Sequence, residues 1–157
     1  MHKLKIISTV LLILALNSKI VAQAFKLDEL EKFNQLSMDS FKNEIKKLNY
    51  KYYDKTESSE FVLYEYDSSD YQYKIGKFQY TTDKSSDRIE FQFKAKNEYN
   101  QYLKAVTGLG YKQTETGKIP GGETYVDYFK NKDHIRLISP KTGEPNDPYT
   151  ILIFKKL

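Results

Sequence analysis

The apolar residues of this chain fall into three kinds of pattern: one unbroken run, stripes at helical spacing, and strict alternation. The run is Ile6 to Leu16, preceded by the short basic segment Met1-His2-Lys3-Leu4-Lys5 and broken by Asn17, Ser18 and Lys19. The first stripe, Phe41, Ile45 and Leu48, follows the i, i+4, i+7 spacing of one helix face. Asp39 or Ser37 can cap that helix, and Asn49 stands just past its end, where a left-handed residue is wanted. Tyr102, Val106 and Leu109 repeat the stripe, with Asn97 able to cap its start and Gly108 or Gly110 to end it. A shorter helix, about Leu27 to Gln35, precedes both.

Strand signals follow each long helix. Phe61 to Tyr66 is a β-rich run; Tyr71, Tyr73 and Ile75 alternate, and Phe78 and Tyr80 continue in the opposite phase, with Gly76 at the change as an expected bulge. Arg88 to Lys94 alternates strictly, Ile89, Phe91 and Phe93 against Glu90 and Gln92. Thr124 to Phe129, His134 to Ser139 and Tyr149 to Phe154 supply three more strands, separated by polar turns. A helix followed by a meander, twice, predicts an α+β fold: a tandem α-β-β-β duplication with an antiparallel six-stranded sheet, helices packed on one face and the other face partly open.

The two units, about 37–94 and 98–155, match at an offset of 61 residues. Phe41 meets Tyr102, Ile45 meets Val106, Asn49 meets Gly110, Tyr50 meets Tyr111, and Phe91-Gln92-Phe93-Lys94 meets Leu152-Ile153-Phe154-Lys155. The agreement of Asn49 with Gly110 has a mechanism, since both residue types tolerate positive φ. At this offset the outward residues Arg88, Glu90, Gln92 and Lys94 correspond to Tyr149, Ile151, Ile153 and Lys155. The last strand is therefore expected to turn Tyr149, Ile151 and Ile153 outward, a patch needing cover from the early helix, a loop, a second copy or a partner.

Composition bears first on the N-terminus. A basic start, an apolar run shorter than the about 20 residues of a spanning helix, and the small-residue pattern Ala22-Gln23-Ala24 predict a cleaved signal peptide over 1–24 and one α+β domain over 25–157. Cleavage after Ala24 fits best and after Ala22 next, which makes the protein exported, periplasmic or secreted, with no integral membrane segment once processed. The chain has no cysteine, so neither disulfides nor lipidation at a new N-terminus is available, and stability must come from a hydrophobic core. Loss of Lys3, Lys5 and Lys19 with the leader leaves 22 basic residues against 21 acidic ones, without the basic excess of a nucleic-acid binder.

Few chemistries remain. After processing the one histidine is His134, so a His/Cys zinc site and a cysteine nucleophile are excluded, and a serine triad would have to be built on His134. Its neighbour Asp133 points to the opposite face of a strand, and no serine stands in a G-x-S-x-G elbow. Gly110 through Gly117-Lys118 lacks P-loop spacing and Gly108-Leu109-Gly110 lacks the third dinucleotide glycine. Asp67/Asp70 and Glu144/Asp147 do not match a calcium loop, and paired carboxylates such as Glu60 and Glu65 read as a solvated strand. No cofactor and no metal site are expected.

The chain holds 14 tyrosines and no tryptophan. Tyrosine suits both half-buried sheet faces and recognition surfaces. The helix ends Leu48-Asn49-Tyr50 and Leu109-Gly110-Tyr111, the Val21-Ala22-Gln23-Ala24 leader end and the Tyr/Lys-rich strands resemble small exported proteins of flavobacterial type that carry no assigned activity. The tandem helix-plus-meander also resembles the β-lactamase-inhibitor protein architecture, which implies a sheet that binds a partner protein. The expected function is an exported, non-enzymatic binding protein that uses an open sheet face on a protein or envelope component. Tyr149, Ile151, Ile153, Tyr64, Tyr66 and Tyr73 are its candidate binding residues. The alternative is a small enzyme using carboxylate or tyrosine chemistry.

Overall fold

A computed structural model describes residues 24–141 and 146–156. Residues 1–23 of the predicted leader and part of the loop before the last strand lie outside the described residues. The chain forms α1 (Leu27–Gln35), α2 (Met38–Lys47), β1 (Lys51–Glu57), β2 (Phe61–Asp67), β3 (Tyr73–Tyr80), a 3-10 turn (Lys84–Ser86), β4 (Arg88–Phe93), α3 (Lys96–Gly108), β5 (Lys112–Lys118), β6 (Thr124–Lys130), β7 (Asp133–Ser139) and β8 (Tyr149–Phe154). All eight strands join one antiparallel sheet in the order β1-β2-β3-β4-β8-β7-β6-β5, with the helices on one face. The α+β class therefore holds.

Each half has four strands rather than the expected three. β1 and β5 are almost wholly exposed and, apart from Tyr52 and Tyr53, polar. No burial alternation marks them in sequence, because they are held by the backbone ladder to β2 and β6 and not by a packed side-chain face. Both carry a bulge, between Tyr52 and Asp54 in β1 and between Gln113 and Glu115 in β5. The bulge expected at Gly76 is absent. β3 runs in unbroken register past it, with Tyr73, Ile75 and Lys77 under the helices and Phe78 and Tyr80 on the other face. The apparent change of phase arose because Lys77 occupies a core position.

Helices α2 and α3 end alike. Asn49 at φ 62° and Gly110 at φ 88° turn the chain, and the amides of Tyr50 and Tyr111 donate to Ile45 and Val106 at 3.3 Å. Phe41, Ile45, Tyr102 and Val106 are buried, but Leu48 and Leu109, expected in the same stripes, lie at the helix ends and are 45% and 51% exposed. Ser37 caps α2 by accepting from the Ser40 amide at 3.2 Å. At α3 the N-cap position is Ala95, and Asn97 lies within the first turn without capping.

Helix α1 lies over the seam between the halves. Leu30 and Phe33 join Ile89, Phe91, Ile151 and Ile153 in the core. The Asn34 amide donates to the Ile153 carbonyl at 2.7 Å. The buried Lys77 ammonium donates to the carbonyls of Phe33 at 3.0 Å and Asn34 at 2.9 Å, closing the C-terminal end of α1.

Candidate functional site

The cross-strand register decides which face each predicted binding residue occupies. Phe91 pairs with Ile151, Ile89 with Ile153 and Phe93 with Tyr149, and directly paired residues share a face. Tyr149, Ile151 and Ile153 therefore point under the helices, and Thr150, Leu152 and Phe154 point the other way, the reverse of the expectation. The gapless offset holds for the helices, their ends and the bulges but slips by one residue in the inner strands. Phe91 and Leu152 consequently lie on opposite faces, since a one-residue slip flips a strand. Ile151 and Ile153 are 0% and 2% exposed, with α1 as their cover.

The other three candidates are on the same covered side. Tyr66 is buried edge-on against Phe41, Tyr64 is half-buried beside the Lys42 ammonium, 4.7 Å from its ring centre, and Tyr73 lies flat on Phe91. The six residues thus share the helix-covered face, Tyr66, Ile151 and Ile153 as core and Tyr64, Tyr73 and Tyr149 packed against it, and none contributes to the open one.

The uncovered face has a different composition. Phe78, Arg88, Phe154, His134 and Phe129 form a row across five adjacent strands, β3-β4-β8-β7-β6. The row is stacked: the Arg88 guanidinium lies 4.0 Å from the Phe78 ring centre, His134 4.0 Å from Phe154, and Phe129 4.3 Å from His134, with the His134 planes nearly parallel to both rings. Phe61 and Tyr80 extend it at 5.3 and 5.6 Å. Arg88 also donates to Glu90 at 2.8 Å and to the Tyr80 hydroxyl at 2.7 Å.

A second row runs beside it: Glu65, Gly76, Glu90, Leu152, Arg136, Asp127 and Glu115 are successive cross-strand partners. Asp127 is 3% exposed and is held by the Arg136 fork, two bonds of 2.7 Å, and by His134 Nε2 at 2.8 Å. Burial works against its ionised form, but Arg136 and then His134 outweigh it and hold the carboxyl below its usual range. Arg136 in turn lies 3.9 Å over the Tyr125 ring, whose hydroxyl donates to Glu115 at 2.7 Å. On the other half, burial raises the Glu65 carboxyl against the pull of Lys74, helped by Glu90, Asp54 and Asp67.

This site was legible in part. The two-residue turn Asn131-Lys132, with Asn131 at φ 55°, joins 124–130 to 133–139 and so sets Asp127 opposite Arg136 and Phe129 opposite His134. Reading His134 only against its neighbour Asp133 missed that hairpin partner. The sequence reading also passed over the placement of arginine. The chain uses lysine 23 times and arginine twice, and both arginines lie on this face, stacked on aromatic rings.

Compared with protein-family models, with curated proteins and with solved structures, the chain shows no match. Among the described residues no group of three or more His, Cys, Asp or Glu is placed to hold a metal ion, and no helix is long and apolar enough to cross a membrane.

Proposed function

We propose that this protein is an exported binding protein whose uncovered sheet face engages a protein of the cell envelope. The observation that carries the reading is the presence of both arginines on that face, each over an aromatic ring and tied to a carboxylate. Protein interfaces favour Arg, Tyr and Phe and are poor in Lys. Here a lysine-rich chain departs from its own habit on one surface only. Eight strands spaced about 4.8 Å apart and about 20 Å long make a face of roughly 700 Å², near the ~800 Å² that each partner gives to a standard interface. The resemblance to the tandem-repeat β-lactamase-inhibitor architecture points the same way.

The test places a photo-crosslinking residue at Phe129 on the open face and, as a control, at Glu44 on α2. One envelope protein captured from Phe129 and not from Glu44 is expected. The purified pair should bind with a Kd at least tenfold weaker for Phe154→Asp. Capture from Glu44 alone, or equal binding by the variant, defeats the reading.

We also propose that the two halves arose by duplication. The matching helix ends, the matching bulges 61 residues apart, and Tyr66 with Ile75 against Tyr128 with Ile135 as equivalent buried pairs support it.

A further inference from the structure

On the side of the molecule opposite the open face, Phe25 borders a groove of about 1100 Å³ that runs between residues 24–28 and α3. Phe25 follows Ala24, the best-fitting cleavage point, so in the exported protein it comes first. A first residue is ordinarily loose and solvated. Phe25 is instead 8% exposed, with its ring packed on Phe33 at 5.0 Å, Tyr50 at 5.2 Å and Phe91 at 5.4 Å. Its carbonyl accepts from the Tyr102 hydroxyl. Side chain and carbonyl are both fixed before α1 begins, and the nitrogen that cleavage frees is fixed with them.

Cleavage turns that nitrogen from an amide with one N–H into an ammonium with three. No backbone carbonyl among the described residues accepts from it as an amide. An ammonium fixed among aromatic rings needs an acceptor. Two acidic side chains line the groove, Asp28 and Glu98. Asp28 is engaged by Lys32 at 3.4 Å. Glu98 accepts from the Tyr73 hydroxyl at 2.7 Å and, among the described residues, makes no ion pair. Tyr73 and Phe25 both lie against Phe91, at 5.6 and 5.4 Å, which brings the Glu98 carboxyl group to the Phe25 side of the groove. The buried Tyr50 hydroxyl, whose ring stacks on Phe25, also has no hydrogen-bond partner among the described residues.

We infer that this groove is the seat of the exported protein's own amino terminus, with the Phe25 ammonium donating to the Glu98 carboxyl group and the Tyr50 hydroxyl as a spare second acceptor. Lys26 and Lys104 on the groove wall oppose a further positive charge, so the ammonium stays there only through a specific acceptor. The precursor cannot make this contact, because its Phe25 nitrogen is tied up in the peptide bond to Ala24. Processing then completes the packing of 25–28 against α3 as well as releasing the leader. The inference rests on the export part of the proposed function and is independent of the sheet face.

The full chain is exported from a bacterial host with its own leader, and the mass of the released protein gives its first residue. Phe25 is expected. An unprocessed chain overturns this inference together with the export reading; a start at Gln23 overturns this inference alone. In the protein that starts at Phe25, acetylation of the α-amine at neutral pH is followed by mass spectrometry of the N-terminal peptide. It should be at least tenfold slower than in Glu98→Gln, with the circular dichroism unchanged. It should also be at least tenfold slower than in a form with one serine inserted between Ala24 and Phe25. The pH midpoint of the reaction should lie above the about 8 of a free α-amine. A carboxyl partner raises that midpoint, whereas burial alone lowers it. Equal rates in the parent and Glu98→Gln, or a midpoint at or below that of a free amine, overturn the inference. If Glu98→Gln fails to fold, the midpoint in the parent decides.

Discussion

The Lys77 ammonium lies 3.0 Å from the carbonyl oxygen of Phe33, so a fully buried cation closes the end of a helix that arrives from 44 residues earlier in the chain. Burial, with Lys155 adding repulsion and Asp87 opposing it, lowers its pKa to about 8. Between about pH 8 and the ordinary lysine value near 10.5, the unfolded chain therefore holds a proton that the folded chain has released. Stability must rise with pH across that window, by up to about 3 kcal/mol. Above about pH 10 the sign reverses. Tyr73 and Tyr111 are both raised to about 12, chiefly by burial, so the unfolded chain ionises first and stability falls. Urea unfolding at several pH values should show a maximum between the two regimes, and Lys77→Met should remove the rise.

Ile153 and Phe154 are sequence neighbours on opposite faces of β8. Ile153→Asp places a charge in the core beneath α1 and should lower stability by about 4 kcal/mol or more. Phe154→Asp changes only the uncovered face and should leave a folded protein with a similar unfolding midpoint. Chemical denaturation of the two variants checks this pair; equal losses would contradict the assignment of faces.

Asp127→Asn strips the Arg136 fork of its charged partner in a largely buried place and should cost about 3 kcal/mol at neutral pH. Because the folded carboxyl titrates below its unfolded value of 3.8, its contribution is present above that pH and disappears as pH falls through the lower folded value. The variant should therefore lose stability less steeply than the parent between pH 5 and about pH 2, as read by thermal unfolding.

Tyr71 stands at φ 57° with 64% of its surface exposed, whereas the corresponding turn of the second half uses Asn131 at φ 55°. A bulky residue in the left-handed region is strained, and asparagine visits it readily. Tyr71→Asn should stabilise the protein by about 1 kcal/mol, raising Tm by a few degrees in calorimetry.

Where side chains decide the structure, the sequence was readable. Helix α1 was expected over Leu27 to Gln35 and is found there, because Leu27, Leu30 and Phe33 form a stripe with nowhere else to go. Strands β3 and β4 were likewise visible from their alternation, and β2, β6, β7 and β8 as β-rich runs between polar turns. The outer strands were not, since Lys51–Glu57 and Lys112–Lys118 bury almost nothing and owe their conformation to a neighbour's amides and carbonyls. The face of β8 was misread for a different reason. Tyr149, Thr150, Ile151, Leu152, Ile153 and Phe154 are nearly all apolar, so alternation gave no parity. A central strand with apolar residues on both of its faces leaves that choice to its partners. The uncovered face was legible only through pairing, because Arg136 and Asp127 meet across a hairpin and not along the chain.

The strand that follows α2 and the strand that follows α3 end up as the two outermost strands of the sheet. One local feature, the kink that follows Tyr52 and Gln113, therefore guards both open borders at once. A ribbon of copies joined border to border would need straight, matching hydrogen-bonding rails, and here each rail is bent near its start and studded with lysine and carboxylate groups. In a sheet this broad and this rich in tyrosine, both devices work against pairing with another copy, the first step toward a fibre.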